Sequence, residues 1–426
     1  MDTTLNQCSY KLTDVPAFKK KVLNWLKPFG IFCYLDNQEY NNAPHRLECL
    51  VAAGVSDSAE GIDIKDADDF FSKKRWLFGH LAYELRRSLY PLTSHKEDKI
   101  GFPLFYFFEP QIVLEIKQEH LFVHASNPAK IFADIIHCPS ITEGENFALP
   151  IAPKGLLSKE DYIEKIRSLQ EHILRGDCYE INFCQAFFDY EASIDPFTVF
   201  QKLMGVSPNP FSAFYRLHDK YLLCASPERF LMKQKNHLVS QPIKGTIKRE
   251  LISVEKDEEL KKKLRESPKE QAENVMVVDL VRNDLTRICK ESSVAVDELF
   301  GTYTFPQVHQ MISTVSGELK NGSSFTKIVE AMFPMGSMTG APKHRVMQLI
   351  DEYEPSARGI FSGAVGYINP DGDFDLAVVI RSLMYNQTKK ILSYQVGSGI
   401  TFYSDAQKEW EECMLKAEAI QRVLEM

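Results

Sequence analysis

The grouping of apolar runs constrains this chain most. Four short runs, around 211–217, 221–225, 229–233 and 237–243, follow one another directly and read as strands. Two helical patterns, around 253–265 and 268–283, then come back to back. Asn369-Pro-Asp-Gly372 between two β-rich runs is a hairpin signal, because Asp-Gly favours the positive φ that such turns need. Strands arrive in groups and so do helices. The pattern predicts an α+β fold with largely antiparallel sheets rather than a βαβ repeat.

Local signals place the remaining elements. Residues 16–27 fit a short helix, and Phe102–Phe108 and Ile112–Ile116 read as strands. Ser158-Lys-Glu-Asp161 reads as a capping box opening a helix that Gly176 ends. Cys178–Tyr190 reads as a strand, and Asp195-Pro196 starts another helix in the N-cap/N1 manner. A helix starts near Pro342, and a last long one runs from near Ser404 to about 424. Residues 139–155 hold three prolines and two glycines without apolar periodicity and read as a linker. They separate an N-terminal region, 1–150, from a second region, 155–424.

Lys and Arg total 50 against 58 Asp and Glu, a formal charge of −8 over 426 residues, which argues against a nucleic-acid binder. The nine cysteines are scattered, odd in number and without a C-x-x-C pair, so neither a disulfide framework nor a zinc knuckle is expected. No run approaches 18 apolar residues, and the N-terminus lacks a cationic start followed by an apolar stretch. The expectation is a soluble cytoplasmic protein with no membrane partner.

Several residues suggest chemistry. Glu270 and Glu273 sit three apart on one expected helix, as do Glu409 and Glu412 on another, so each pair shares a face. Four converging carboxylates would suit a hard cation such as Mg²⁺. The plainer readings are a capping-box role for Glu270 after Ser267 and a solvated face for Glu409 and Glu412. Lys244, in Gln-Pro-Ile-Lys-Gly-Thr246, is a nucleophile only if its pKa falls, and otherwise a surface lysine. Gly336–Lys343 lacks P-loop spacing, although the helix start behind it leaves anion binding open. His309 alone reads as structural, and Asp279–Leu285 as a buried charge network.

In order, the chain carries Ser226-Pro-Glu-Arg-Phe, Pro-Ile-Lys-Gly-Thr, Lys269-Glu-x-x-Glu-Asn and Asp-Leu-Val-Arg-Asn-Asp-Leu. Phe333-Pro-x-Gly-Ser-x-Thr-Gly-Ala-Pro-Lys, Arg358-Gly, Ile380-Arg381-Ser and Gly397-x-Gly-Ile follow. This series resembles the chorismate-utilising enzymes, which include the large subunits of anthranilate and aminodeoxychorismate synthases and the isochorismate and salicylate synthases. The resemblance is close over 155–424 and looser before, where Trp76–Glu84 matches best. It implies a large two-layered α+β unit with flanking helices and a site between the layers.

The resemblance also implies roles. Mg²⁺ is held by Glu273 and Glu412, with Glu270 and Glu409 acting directly or through water. Arg381 holds a substrate carboxylate, with Thr246, Gly397, Gly399 and Lys416 adding contacts. Glu228 is the general acid, Lys244 a neutral nucleophile, and His309 orients the ring. Lys244 stands where aminodeoxychorismate synthases carry Lys and anthranilate synthases usually Ala. Glu180 stands where ammonia-using members mostly have Gln and water-activating ones Lys. Phe361 replaces a Tyr of several relatives. Amination of chorismate at C4 through a lysine adduct is expected, on the 4-aminobenzoate route to folate, with ammonia from a separate glutamine amidotransferase. The alternatives are an anthranilate-forming enzyme and an inactive chorismate-binding regulator.

Overall fold

The computed structural model describes residues 6–40, 47–92, 96–139, 151–306 and 308–426. Two large sheets carry the fold, and every ladder between the described strands is antiparallel. The first has 12 strands, and its middle runs Cys49–Ala53, Ile31–Asp36, Phe211–Leu217, Lys220–Ser226, Ser382–Asn386, Ile391–Ile400, Glu180–Asp189. The second has 10 strands and runs from Ile243–Lys248 at one edge, through Val308–Glu318, Arg229–Gln234 and Phe374–Val378, to Leu77–Leu81, Phe105–Glu109 and Asp57–Gly61.

Both sheets draw strands from either side of the expected linker. Ile31–Asp36 pairs with Phe211–Leu217, and Leu77–Leu81 with Ala364–Ile368. The N-terminal strands therefore complete the sheets of the later region. Linker residues 140–150 lie outside the described residues.

Alternation along the strands explains the layering, since successive side chains leave opposite faces. In Ile31–Asp36, the side chains of Ile31, Cys33 and Leu35 enter the core between the sheets. Phe32 and Tyr34 face the opposite core beneath helices. Tyr221, Leu223 and Ala225 alternate in the same way with Leu222 and Cys224. A sheet covered on both faces must be apolar on both, which is why these strands read as unbroken apolar runs. Helices Val15–Trp25, Lys159–Leu174, Pro196–Val206 and Ala406–Glu425 line the outer core. Pro268–Ile288 packs on the second sheet against Ile243–Lys248 and Val308–Glu318.

The local signals hold. The Ser158–Asp161 capping box forms, Gly176 takes φ +84°, and Asp195 caps Pro196–Val206. Gly372 takes φ +77° in the hairpin joining Ala364–Ile368 to Phe374–Val378.

Candidate active site

The chain crosses between the sheets at two neighbouring points, and each crossing carries a candidate residue. Lys220–Ser226 ends in the first sheet and Arg229–Gln234 begins in the second, so Glu228 lies between them. Phe374–Val378 and Ser382–Asn386 return the chain past Arg381. The crossings are tied together: Val378 N–H donates to Glu228 O at 3.0 Å, and Ala225 N–H to Arg381 O at 3.2 Å.

Glu228 is buried, and burial pushes its carboxyl up to about 7 against the Ser337 hydroxyl bond and the Lys244 charge. Ser337 Oγ donates to Glu228 Oε1 at 2.6 Å. Arg381 has φ 51°, a left-handed conformation rare for a non-glycine residue. What acts on its guanidinium is the charge of Glu228 and Tyr40, with no hydrogen bond or ion pair among the described residues. Burial lowers its pKa to about 10 despite nearby Glu228. An uncommitted, desolvated guanidinium is a ready seat for a carboxylate.

Lys244 lies on the edge strand Ile243–Lys248. The register against Val308–Glu318 shifts between Ile243 and Thr246, and Gly245 takes φ +94°. This bulge re-aims Lys244 across the inter-sheet gap. Lys244 Nζ donates to Glu180 Oε1, at the start of Glu180–Asp189. Burial pulls the amine's pKa down, but Glu180, with Glu273 and Glu412 behind it, more than offsets this and holds it above its ordinary value. The expected neutral lysine is therefore not what the resting site shows. The expected burial is there, yet the carboxylates hold the proton on.

Glycines clear the space around this pair. A Cβ on Gly399 would collide with Glu180 Oε1 and Lys244 Nζ, and one on Gly245 would lie 2.9 Å from Glu270 Oε2. Gly397 instead serves close strand packing, since a Cβ there would meet Phe183 O and Cys184.

The four expected metal ligands come together with lysines among them. Lys269 Nζ lies 3.8 Å from Glu273 and 3.7 Å from the buried Glu409, joining the two acidic helices. Lys416 pairs with Glu412 at 2.8 Å and donates to Gly397 O at 3.0 Å. Ser267 caps Pro268–Ile288 through Glu270 N–H, but Glu270 does not reciprocate, so its carboxylate faces the site rather than the cap. Among the described residues, no three His, Cys, Asp or Glu side chains form a ready-made metal cage. Glu273 still fits a cation. Its Oε1 is buried with no hydrogen-bond partner, and burial pushes its carboxyl up to about 7 against Lys244. Burial also raises Glu270, while Lys416 lowers Glu412. An all-oxygen donor set short of positive charge suits a hard divalent ion.

Other expected residues sit differently. Thr246 is exposed two positions along the Lys244 strand. His309 is buried with both ring nitrogens engaged, Nδ1 with Thr304 Oγ1 and Nε2 with Asp257 Oδ1, each at 3.0 Å. It buttresses the strand beside Lys244 and offers no free nitrogen to a ligand. Phe361 is core. Lys343 pairs with buried Asp284, so the Gly336–Lys343 loop serves packing, apart from Ser337. Sequence reasoning missed Ser337 and Lys269, although both stood inside quoted motifs.

A buried carboxyl poised near 7, an amine beside a carboxylate, an open guanidinium and four carboxylates define an enzyme site for a small, multiply anionic substrate. The chain belongs to the family of chorismate binding enzymes, whose model matches residues 35–422. It is 33% identical over 349 residues to aminodeoxychorismate synthase component 1 of Escherichia coli, covering 82% of this chain and 76% of that protein. It is 39% identical over 280 residues to aminodeoxychorismate synthase component 1 of Salmonella typhimurium, covering 66% and 61%. The chain thus spans about three fifths of that relative. Anthranilate synthase component I from Streptococcus pneumoniae shares the fold, with a TM-score of 0.73 and 23% identity over 99% of this chain and 93% of that one.

Among the described residues, no helix is long and apolar enough to cross a membrane.

Proposed function

We propose that this chain aminates chorismate at C4, giving 4-amino-4-deoxychorismate, as the synthase component of a two-component enzyme. The observation that carries the reading is Lys244, re-aimed by its bulge into a buried gap beside Glu180, with Glu228 close by. A C2-aminating site needs no amine there.

Arg381 binds the enolpyruvyl carboxylate with its two-pronged donor. Glu273 and Glu412 would hold Mg²⁺, with Glu270 and Glu409 supporting. When bound, Mg²⁺ neutralises and orients the ring carboxylate. Glu228 protonates the departing 4-hydroxyl, since hydroxide is a poor leaving group. Lys244 sheds one proton before adding at C2, and the departing hydroxyl needs one. Glu228, titrating near 7, can carry it between them. Ammonia then bonds to C4, the ring double bonds shift back, and the C2–N bond breaks with its electron pair returning to Lys244.

A separate glutamine amidotransferase supplies the ammonia, and the pair works in the cytoplasm, where nine free thiols are at home. Incubation with chorismate, Mg²⁺ and ammonium, followed by chromatography, tests the reading. Aminodeoxychorismate without pyruvate is expected. Fluorescent anthranilate with pyruvate would identify a C2-aminating lyase, and tight binding without turnover a regulator.

A further inference from the structure

We infer that Glu180 forms a seat for the ammonium nitrogen, and that this seat is the position Lys244 vacates when it adds to the substrate. The inference rests on the lysine-adduct reading above. Glu180 is 2% exposed. Its Oε1 accepts from Lys244 Nζ, while its Oε2 is buried with no hydrogen-bond partner. In the resting site, a single ammonium group therefore supplies both the charge and the hydrogen bond that this carboxylate needs. Once that nitrogen is drawn to C2, Glu180 is a buried anion short of a donor. A buried charge stripped of its partner is strongly disfavoured.

The vacated space has the size and hydrogen-bonding demand of one –NH₃⁺ group, and NH₄⁺ matches both. The absent Cβ of Gly399 keeps that space open from the opposite strand, since any side chain there would fill it. The seat is also well placed for reaction. It lies where an amine reaches C2, and C4 is two bonds away on the same ring. Water meets the hydrogen-bonding demand but not the charge, so the seat favours ammonium over water. The seated ammonium gives a proton to Glu228, ionised again once the hydroxyl has left, and the ammonia so formed attacks C4.

The test uses Glu180→Gln and Glu180→Ala in the full chain, with ammonium chloride as nitrogen source at fixed pH and saturating Mg²⁺. Intact-protein mass after chorismate without ammonium reports the Lys244 adduct. Glu180→Ala is expected to raise the KM for ammonium about tenfold or more, the value of a charge-assisted hydrogen bond, while the KM for chorismate holds. Glu180→Gln keeps an acceptor for Lys244 but not the charge, and should show a smaller rise. Potassium, close to ammonium in size, should compete with ammonium in the native chain and lose that competition in both variants. Should Glu180→Ala prevent adduct formation, Glu180→Gln carries the test. An unchanged ammonium KM with potassium competition intact, in a variant that still forms adduct, overturns the seat. A native chain that forms neither adduct nor aminodeoxychorismate overturns the function itself.

Discussion

Single side chains set the chemistry, and Glu228 shows how. Burial raises its carboxyl, while the Ser337 hydroxyl favours the ionised form, and the balance stands near 7. In the proposed cycle Glu228 must be ionised to take the Lys244 proton before it delivers one to the hydroxyl, so activity should fall as pH drops through about 7. Ser337→Ala removes the opposing bond, so that limb should move up by roughly one unit, while the maximal rate drops because the carboxyl loses its anchor. A kcat/KM profile over pH 6–9 decides it; an unmoved limb would show that Ser337 does not act on Glu228. Lys244→Ala should abolish C4 amination and leave no adduct mass, and undiminished aminodeoxychorismate output would remove the covalent role. Glu228 and Lys244 were legible as motif residues. Their partners were not, because Ser337 lies 109 positions from Glu228 and Glu180 64 from Lys244. Nothing in local sequence encodes such contacts. The same limit hid the charge on Lys244, which depends on carboxylates brought in by three other elements.

At the scale of elements, the site depends on one bulge, two helix starts and one glycine-bearing strand. The caps and turns were readable in advance, since Ser158, Asp195, Gly176 and Gly372 act through neighbours a few residues away. The bulge at Gly245 was not, because a register shift is defined only against the partner strand Val308–Glu318. Gly399→Ala tests the strand. The added methyl collides with Glu180 Oε1 and Lys244 Nζ, so the pair must separate. Loss of adduct formation with a near-native melting temperature is the expected outcome. Full activity in that variant would mean that the pair tolerates displacement. Ser267→Ala tests the helix start and should cost ~1 kcal/mol of stability, read by urea denaturation. Because Ser267 alone makes the cap bond, with no reciprocal bond from Glu270, the loss should not grow when Glu270→Gln is added.

At the scale of the whole molecule, the site is an inter-sheet gap that stores unpaired charge. The N-terminal strands interleave into both sheets, and no sequence feature of residues 1–138 announced that pairing. Glu84, Glu228 and Glu273 each stand at about 7, raised mainly by burial from an ordinary 4.5. Between those values, the folded chain holds protons that the unfolded chain has released. Their stabilising contribution is complete below about 4.5 and is lost as pH rises through 7. Buried His80, lowered to about 4 from 6.5, works the other way and loses stability as pH falls. Three carboxyls against two lowered imidazoles, His80 and the partly buried His124, leave a net decline, so without Mg²⁺ the chain should melt at lower temperature at pH 7.5 than at pH 5.5. Mg²⁺ binding only the folded state should then raise the melting point at pH 7.5, where Glu273 is ionised, and far less at pH 5.5, where it is not. Glu273→Gln should flatten part of the pH dependence and remove the Mg²⁺ response together, because a single buried oxygen accounts for both. A Glu273→Gln chain that Mg²⁺ stabilises as strongly as the native one would place the cation elsewhere.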